Sequence, residues 1–241
     1  MIYSANEKFP FFGNTFKKAH LSYAARGNVL MSEKNVESDG GVMIVSMDNA
    51  DSHIAASIYD EYRARRFSGV FLDSDLTPSG KSAEIMSETV SALSRRTEKI
   101  FVPLAFAEAC RDAVPVAAAD ISGGVLSEYL EMLLREHKRL ALAVPRTVSR
   151  FKMPAENPTG ERLSLSEFRS LCERFGAGGF FSPQMIVNYF TYPTPDDGCG
   201  FVLFDDAKTI TEKVRLAMRL GIEDVFLTLR EIADIADDIS L

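Results

Sequence analysis

Short apolar runs recur along this chain, with amphipathic stretches between them. Strand candidates fall at 42–47 (VMIVSM), 69–73 (GVFLD), 100–105 (IFVPLA), 114–119 (VPVAAA), 140–144 (LALAV) and 225–229 (VFLTL), with weaker ones at 2–5 and 20–24. They are continuous rather than alternating, as strands covered on both faces must be. The text between them repeats at helical spacing. Ile54, Ile58 and Tyr62 form one stripe, and Met86, Val90 and Leu93 a second. Leu126, Tyr129, Leu130 and Leu133 form a third, and Ile210, Val214, Ala217 and Met218 a fourth. Each stripe requires an apolar partner. Gly221, just past the last, suits a helix C-terminus.

Repeated strand–helix units imply a parallel sheet. Eight strand candidates in 241 residues predict an α/β fold of the (β/α)8 TIM-barrel type, whose usual size is about 250 residues. A doubly wound open sheet is the competing architecture. Its dinucleotide-binding form has no support, because no G-x-G-x-x-G follows the first strand. One segment breaks the alternation. Residues 155–205 open on a Pro- and Gly-containing loop and continue with the S-x-x-E capping box of Ser164 and Glu167. A helix with Leu165, Phe168, Cys172 and Phe175 on one side follows. After Gly176, Gly178 and Gly179 come two aromatic runs flanking Asp196, Asp197 and Gly198, a hairpin signal. The expected organisation is a barrel of 1–154 and 206–241 with a small α+β insertion at 155–205 before the last strand.

Charge narrows the function classes. With 34 acidic and 27 basic residues, a net charge of −7 argues against a nucleic-acid partner, which needs a dense basic face. The apolar run at 113–119 is far short of the ~20 residues of a membrane helix. The first 16 residues lack the apolar core of a signal peptide, so the expected location is cytoplasmic. Cys110, Cys172 and Cys199 have no metal-ligand spacing, and His20, His53 and His137 are scattered. No metal and no cofactor is expected.

The segment from Ser68 through Gly69, Phe71 and Asp73 to Asp75 resembles the fourth strand of family 18 glycoside hydrolases, whose signature is D-G-x-D-x-D-x-E. Residues 20–24, 42–46, 112–120 and 140–145 are similar to the second, third, sixth and seventh strands, in order. Phe204, Asp205 and Asp206, followed by Lys213 and by Gly221 to Val225, resemble the Y-D-D…K…G segment before the eighth. The insertion resembles the small domain of the branch that cuts spore-cortex peptidoglycan. The resemblance spans about residues 18–230. It implies a TIM barrel, substrate-assisted cleavage of amino-sugar polymers and, as the alternative to a cytoplasmic location, a spore-associated one. There, the substrate's N-acetyl oxygen attacks the anomeric carbon while the signature Glu donates a proton.

Carried over residue by residue, the signature is damaged. Its first Asp is Ser68, its second is Phe71, its third survives as Asp73 and its Glu is Asp75. Asp48 and Asn49 replace a glycine pair after the third strand. The sixth-strand Met and Tyr are Ala117 and Ala119, although Asp120 remains. The Trp beneath the sugar is Thr228, and the chain contains no Trp. Each lost transition-state contact is worth on the order of 1–4 kcal/mol. Two function classes follow. The first is a family 18-like domain whose catalysis is lost or strongly attenuated, kept to bind an N-acetylglucosamine-containing glycan or a protein partner. The alternative is an active glycosidase with Asp75 as general acid and Asp73 orienting the acetamido group. Asp120, Tyr189 and Tyr192 are the expected substrate-binding residues in either case. The structural reading of the same residues is plainer: Asp120 as a helix N-cap, and the hairpin aromatics packed on their own helix.

Overall fold

The computed structural model describes residues 2–5, 16–32, 40–154, 160–175, 179–194 and 198–240. The chain runs through β1 (Ile2–Ala5), β2 (Phe16–Gly27), β3 (Val29–Ser32), β4 (Val42–Ala50), α1 (Ile54–Ala64), β5 (Gly69–Asp73), α2 (Gly80–Leu93), β6 (Ile100–Pro103), β7 (Val114–Ala118), α3 (Leu126–Glu136) and β8 (Ala141–Val144). It continues through β9 (Val148–Met153), β10 (Glu161–Arg162), α4 (Leu165–Phe175), β11 (Phe180–Ser182), β12 (Val187–Pro193), β13 (Cys199–Phe204), α5 (Ala207–Arg219), β14 (Asp224–Thr228) and α6 (Leu229–Ile232). The result is an α/β fold with a mostly parallel central sheet, TIM barrel-like in its order of elements. Two compact units divide it. One comprises Met1–Ala117, His137–Ala143 and Ile222–Arg230; the other comprises Ala118–Glu136, Val144–Gly221 and Glu231–Leu241.

The first unit holds the central sheet, ordered β1-β14-β8-β7-β6-β5-β4-β2-β3. Strand β1 pairs in parallel with β14 and also with β2. Strand β3 is a hairpin extension that the apolar-run reading misses. It follows a Gly27–Asn28 turn, with Gly27 at φ +60°, and runs antiparallel to β2. Alternation along the strands sorts side chains into two layers. Val45, Val70 and Leu72 pack with Ile54, Ile58 and Tyr62 of α1 and with Met86, Val90 and Leu93 of α2. The stripes of α1 and α2 are therefore buried as their spacing requires; in the fourth stripe Ile210, Val214 and Ala217 are buried, but Met218 is 48% exposed. The other strand face gathers Ala19, Val42, Ile44, Phe71, Phe101, Val114, Val116, Ala141 and Phe226.

The second unit contains an antiparallel sheet, ordered β10-β9-β13-β12-β11. It recruits β9, which precedes residue 155 and pairs with β13 from Val148 opposite Phe204 to Met153 opposite Cys199. The hairpin β12–β13 forms, with Pro193 opposite Cys199. The Asp196 and Asp197 turn, the 155–159 loop, and Gly176 and Gly178 lie outside the described residues. The Ser164 capping box also forms: the Ser164 amide donates to Glu167 Oε2 at 2.8 Å and the Glu167 amide donates to Ser164 Oγ at 3.3 Å. Helix α5 starts on an Asp206 N-cap, whose carboxylate accepts from the Thr209 amide. It ends before Gly221, whose φ of +77° explains why glycine follows the last turn.

Candidate functional site

Strand β5 ends at Asp73, and β4 runs beside it in parallel with Ser46 opposite Asp73. Phe71 lies two residues before Asp73, on the same strand face. Its ring is 9% exposed and packs against Phe226 at 5.3 Å and Phe101 at 6.4 Å between centroids; Phe101 and Phe226 lie 5.1 Å apart at 86°. Three rings thus fill the space beneath Asp73. A carboxylate among these rings would be stripped of water, and Phe71 suits the place.

Asp73 itself is half-buried. Its Oδ1 accepts from the Ser74 amide at 3.1 Å. Burial pushes its carboxyl above the ordinary aspartate range. The charge of Asp75 adds to that, the Ser74 amide opposes it, and the charge of Asp48 adds a little more. Asp75 sits beyond the end of β5 and is exposed. The strand alternation that would align residues 71, 73 and 75 therefore stops at Asp73, and Asp75 is placed by the loop. Its amide donates to Asp48 Oδ1 at 3.0 Å, and the Ser74 hydroxyl donates to the same oxygen at 2.8 Å.

Asp48 is the member of this group that sequence reasoning passed over. It stood out only as a replaced glycine. The available signal was its place two residues past Ser46, which pairs with Asp73 as Ile44 pairs with Phe71; β4 is irregular between Ser46 and Asn49, so parity alone does not fix its face. What resulted is a carboxyl-end cluster of three aspartates, one of them positioning the loop that carries another. Burial first, and the neighbouring negative charges after it, disfavour the ionised form of Asp73. Among the described residues, no group of three His, Cys, Asp or Glu is arranged to hold a metal ion.

The other expected site residues lie in the second unit. Asp120 is exposed and α3 starts only at Leu126, so Asp120 is not that helix's N-cap. Its charge is felt by Tyr129, whose phenol is raised chiefly by burial and secondarily by Asp120. Tyr189 and Tyr192, both on β12, have opposite parity, and the sheet separates them. Tyr192 turns to the α4 side, stacking on Phe175 at 4.8 Å and 30°. It also lies across Gly200, where an added Cβ would meet the ring at 2.2 Å. On that face Phe168 of α4 packs against Phe204 at 5.0 Å and Phe190 at 6.4 Å, the helix packing that the plainer sequence reading expects. Tyr189 belongs to the opposite face, in a row formed by Phe180 (5.7 Å), Tyr189 and Phe201 (5.4 Å), ending on Phe151 (6.2 Å from Phe201). Phe180, at the edge of this row, is 64% exposed.

No family model matches the chain, and no curated protein matches it. Solved structures do match. A chitinase from Chromobacterium violaceum ATCC 12472 superposes with a TM-score of 0.65 at 14% identity, over 96% of this chain and 94% of that one. The spore cortex-lytic enzyme SleL of Bacillus megaterium QM B1551 gives 0.62 at 12%, over 93% and 67%. A family GH18 chitinase from Cycas revoluta, in a complex with allosamidin, gives 0.60 at 14%, over 92% and 90%. The chain has the fold of the family 18 chitinases and spore cortex-lytic enzymes.

Proposed function

We propose that this chain is a family 18-like domain that binds an N-acetylglucosamine-containing glycan and has lost, or strongly attenuated, its hydrolytic power. The observation that carries the reading is the packing of Phe71 against Phe101 and Phe226. It puts hydrocarbon where the resemblance calls for a carboxylate, and leaves Asp73 without an acidic partner below it. On this reading the central sheet closes as a (β/α)8 barrel, supported by the pairing of β1 with both β14 and β2. The antiparallel sheet and α4 form the inserted module, with the boundaries 1–154, 155–205 and 206–241 as its approximate frame. Glycan contact falls to Tyr189, with Asp120 as a polar partner. The Phe180–Tyr189–Phe201 row offers flat apolar faces at low entropic cost. A spore setting belongs to the same reading, supported by the spore cortex-lytic enzymes among the similar structures.

One observation favours a second reading. Asp73 keeps a raised carboxyl beside Asp75, and perturbed carboxyls cluster at functional sites, so the alternative is residual glycosidase activity with Asp75 as general acid and Asp73 orienting the acetamido group. Incubation with fluorogenic chitooligosaccharides, alongside calorimetry with the same unlabelled oligomers and muropeptides, separates the two. Binding without turnover is expected. Turnover abolished by Asp75→Asn or Asp73→Asn overturns the binding-only reading. Silence in both measurements overturns the glycan reading and leaves a protein partner.

A further inference from the structure

A cavity of about 360 Å³ opens beside the aspartate cluster, between the end of β4, the loop after β5 and the first turns of α2. Its apolar lining includes Met47, Met86 and Phe106, residues of the layer between sheet and helices, together with Ala50, Ile85 and Leu76. It shares Asp48 and Ser74 with the aspartate cluster. Its polar lining includes Asp48, Asn49 and Lys81.

The charges in this lining are unspent in a particular way. Asp48 Oδ1 is occupied by Ser74 and Asp75, but Oδ2 accepts only a long bond of 3.5 Å from Ser46 Oγ. Lys81 makes no ion pair or hydrogen bond through its ammonium among the described residues, although the Asp51 carboxylate feels its charge. Asp48 and Lys81 line one space and do not pair with each other. A ligand carrying both charges meets the half-buried Asp48 and the exposed Lys81 at once, and gains a charge-assisted bond that a ligand with one charge lacks. The volume lies near the lower end of the ~300–1,000 Å³ usual for small-molecule sites, and a single small molecule fills it. Methionine side chains adapt to irregular aliphatic shapes.

We infer that this cavity binds a free α-amino acid with an aliphatic or thioether side chain, its ammonium on Asp48, its carboxylate on Lys81 and its side chain over Met47, Met86 and Phe106. None of its lining residues is a proposed glycan contact, so the inference does not depend on that reading.

Titration calorimetry on the full chain tests this with L-leucine and L-methionine, and with isoamylamine and 4-methylpentanoate as leucine analogues carrying one charge each. Saturable binding is expected for the amino acids, at least about tenfold tighter than for either analogue. Lys81→Gln, an exposed substitution that leaves the fold intact, is expected to weaken leucine about tenfold. Asp48→Asn is expected to weaken it comparably. No saturable heat with either amino acid at about 10 mM overturns the inference. So does an analogue that binds as tightly as leucine, or leucine binding that is indifferent to Lys81→Gln. Competition by a chitooligosaccharide overturns it too, by placing the amino acid in the glycan site. Loss of glycan binding alone, with leucine binding retained, overturns only the proposed function.

Discussion

Two groups of aspartates illustrate opposite uses of the same side chain. Asp205 and Lys213 are 1% exposed or less at the side chain, and are matched almost completely. Lys213 Nζ donates to both carboxylate oxygens at 2.9 and 2.7 Å, Thr209 Oγ1 donates to Oδ1 at 2.8 Å, and the Thr147 amide donates to Oδ2 at 2.8 Å. Asp48, Asp73 and Asp75 stand at the end of two strands with no ion pair to a cation among the described residues, two of them half-buried. A buried charge survives where each lone pair is answered, and its environment then holds one geometry. A like-charged cluster without a cation is tolerable only near water, and there it perturbs its own proton affinities. The first arrangement holds the start of α5 against the chain before β9. The second leaves chemistry or recognition available.

The comparison breaks most visibly at Lys213. Lys213→Met removes the cation and leaves Asp205 buried and unpaired, and is expected to cost about 3–5 kcal/mol in urea unfolding. A loss below about 1 kcal/mol would mean that Asp205 is answered by its other donors alone.

The next effect has the opposite sign. Asp73 has a raised folded-state carboxyl, so its contribution to stability is complete below the unfolded aspartate range and falls away as pH rises through the folded value. Asp73→Asn is therefore expected to raise the thermal midpoint at pH 7 relative to the parent, with the difference shrinking to nothing near pH 3. A parent that outlasts Asp73→Asn at pH 7 would refute the assignment.

A finer measurement ranks the neighbours. Carbon-13 titration of the Asp73 carboxyl is expected to move down in both Asp75→Asn and Asp48→Asn, and further in Asp75→Asn, since Asp75 contributes more to the shift. Equal displacement would equate the two charges. The smallest effect belongs to an exposed pair. Arg150 donates to Glu161 through Nε at 3.2 Å, and Glu161→Gln is expected to change stability by no more than about 1 kcal/mol. It serves as the solvated reference for the Lys213 result.

Much of this arrangement was legible in the chain. The stripes at Ile54, Met86, Leu126 and Ile210 identify the helices, because a face that recurs every three or four residues has to be buried. Ser164 with Glu167 marks the start of α4, and Gly221 the stop after α5. Parity along 69–73 also places Phe71 and Asp73 on one face. What the residues concealed arises between strands. Asp48 gains its role only because β4 outruns β5 and brings its carboxylate to the amide of Asp75. Tyr189 and Tyr192 read as one aromatic run, yet the pleat assigns them to different faces, one stacked on Phe175 and the other in the Phe180–Phe201 row.

The local code, period and cap and turn, thus determined which segments are helices and strands and where several of them end, because those preferences are settled within a few residues. Tertiary structure alone decided which acids are neutralised and which are left to interact, since that depends on strand register and on partners such as Lys213 and Ser74 whose approach no local spacing encodes.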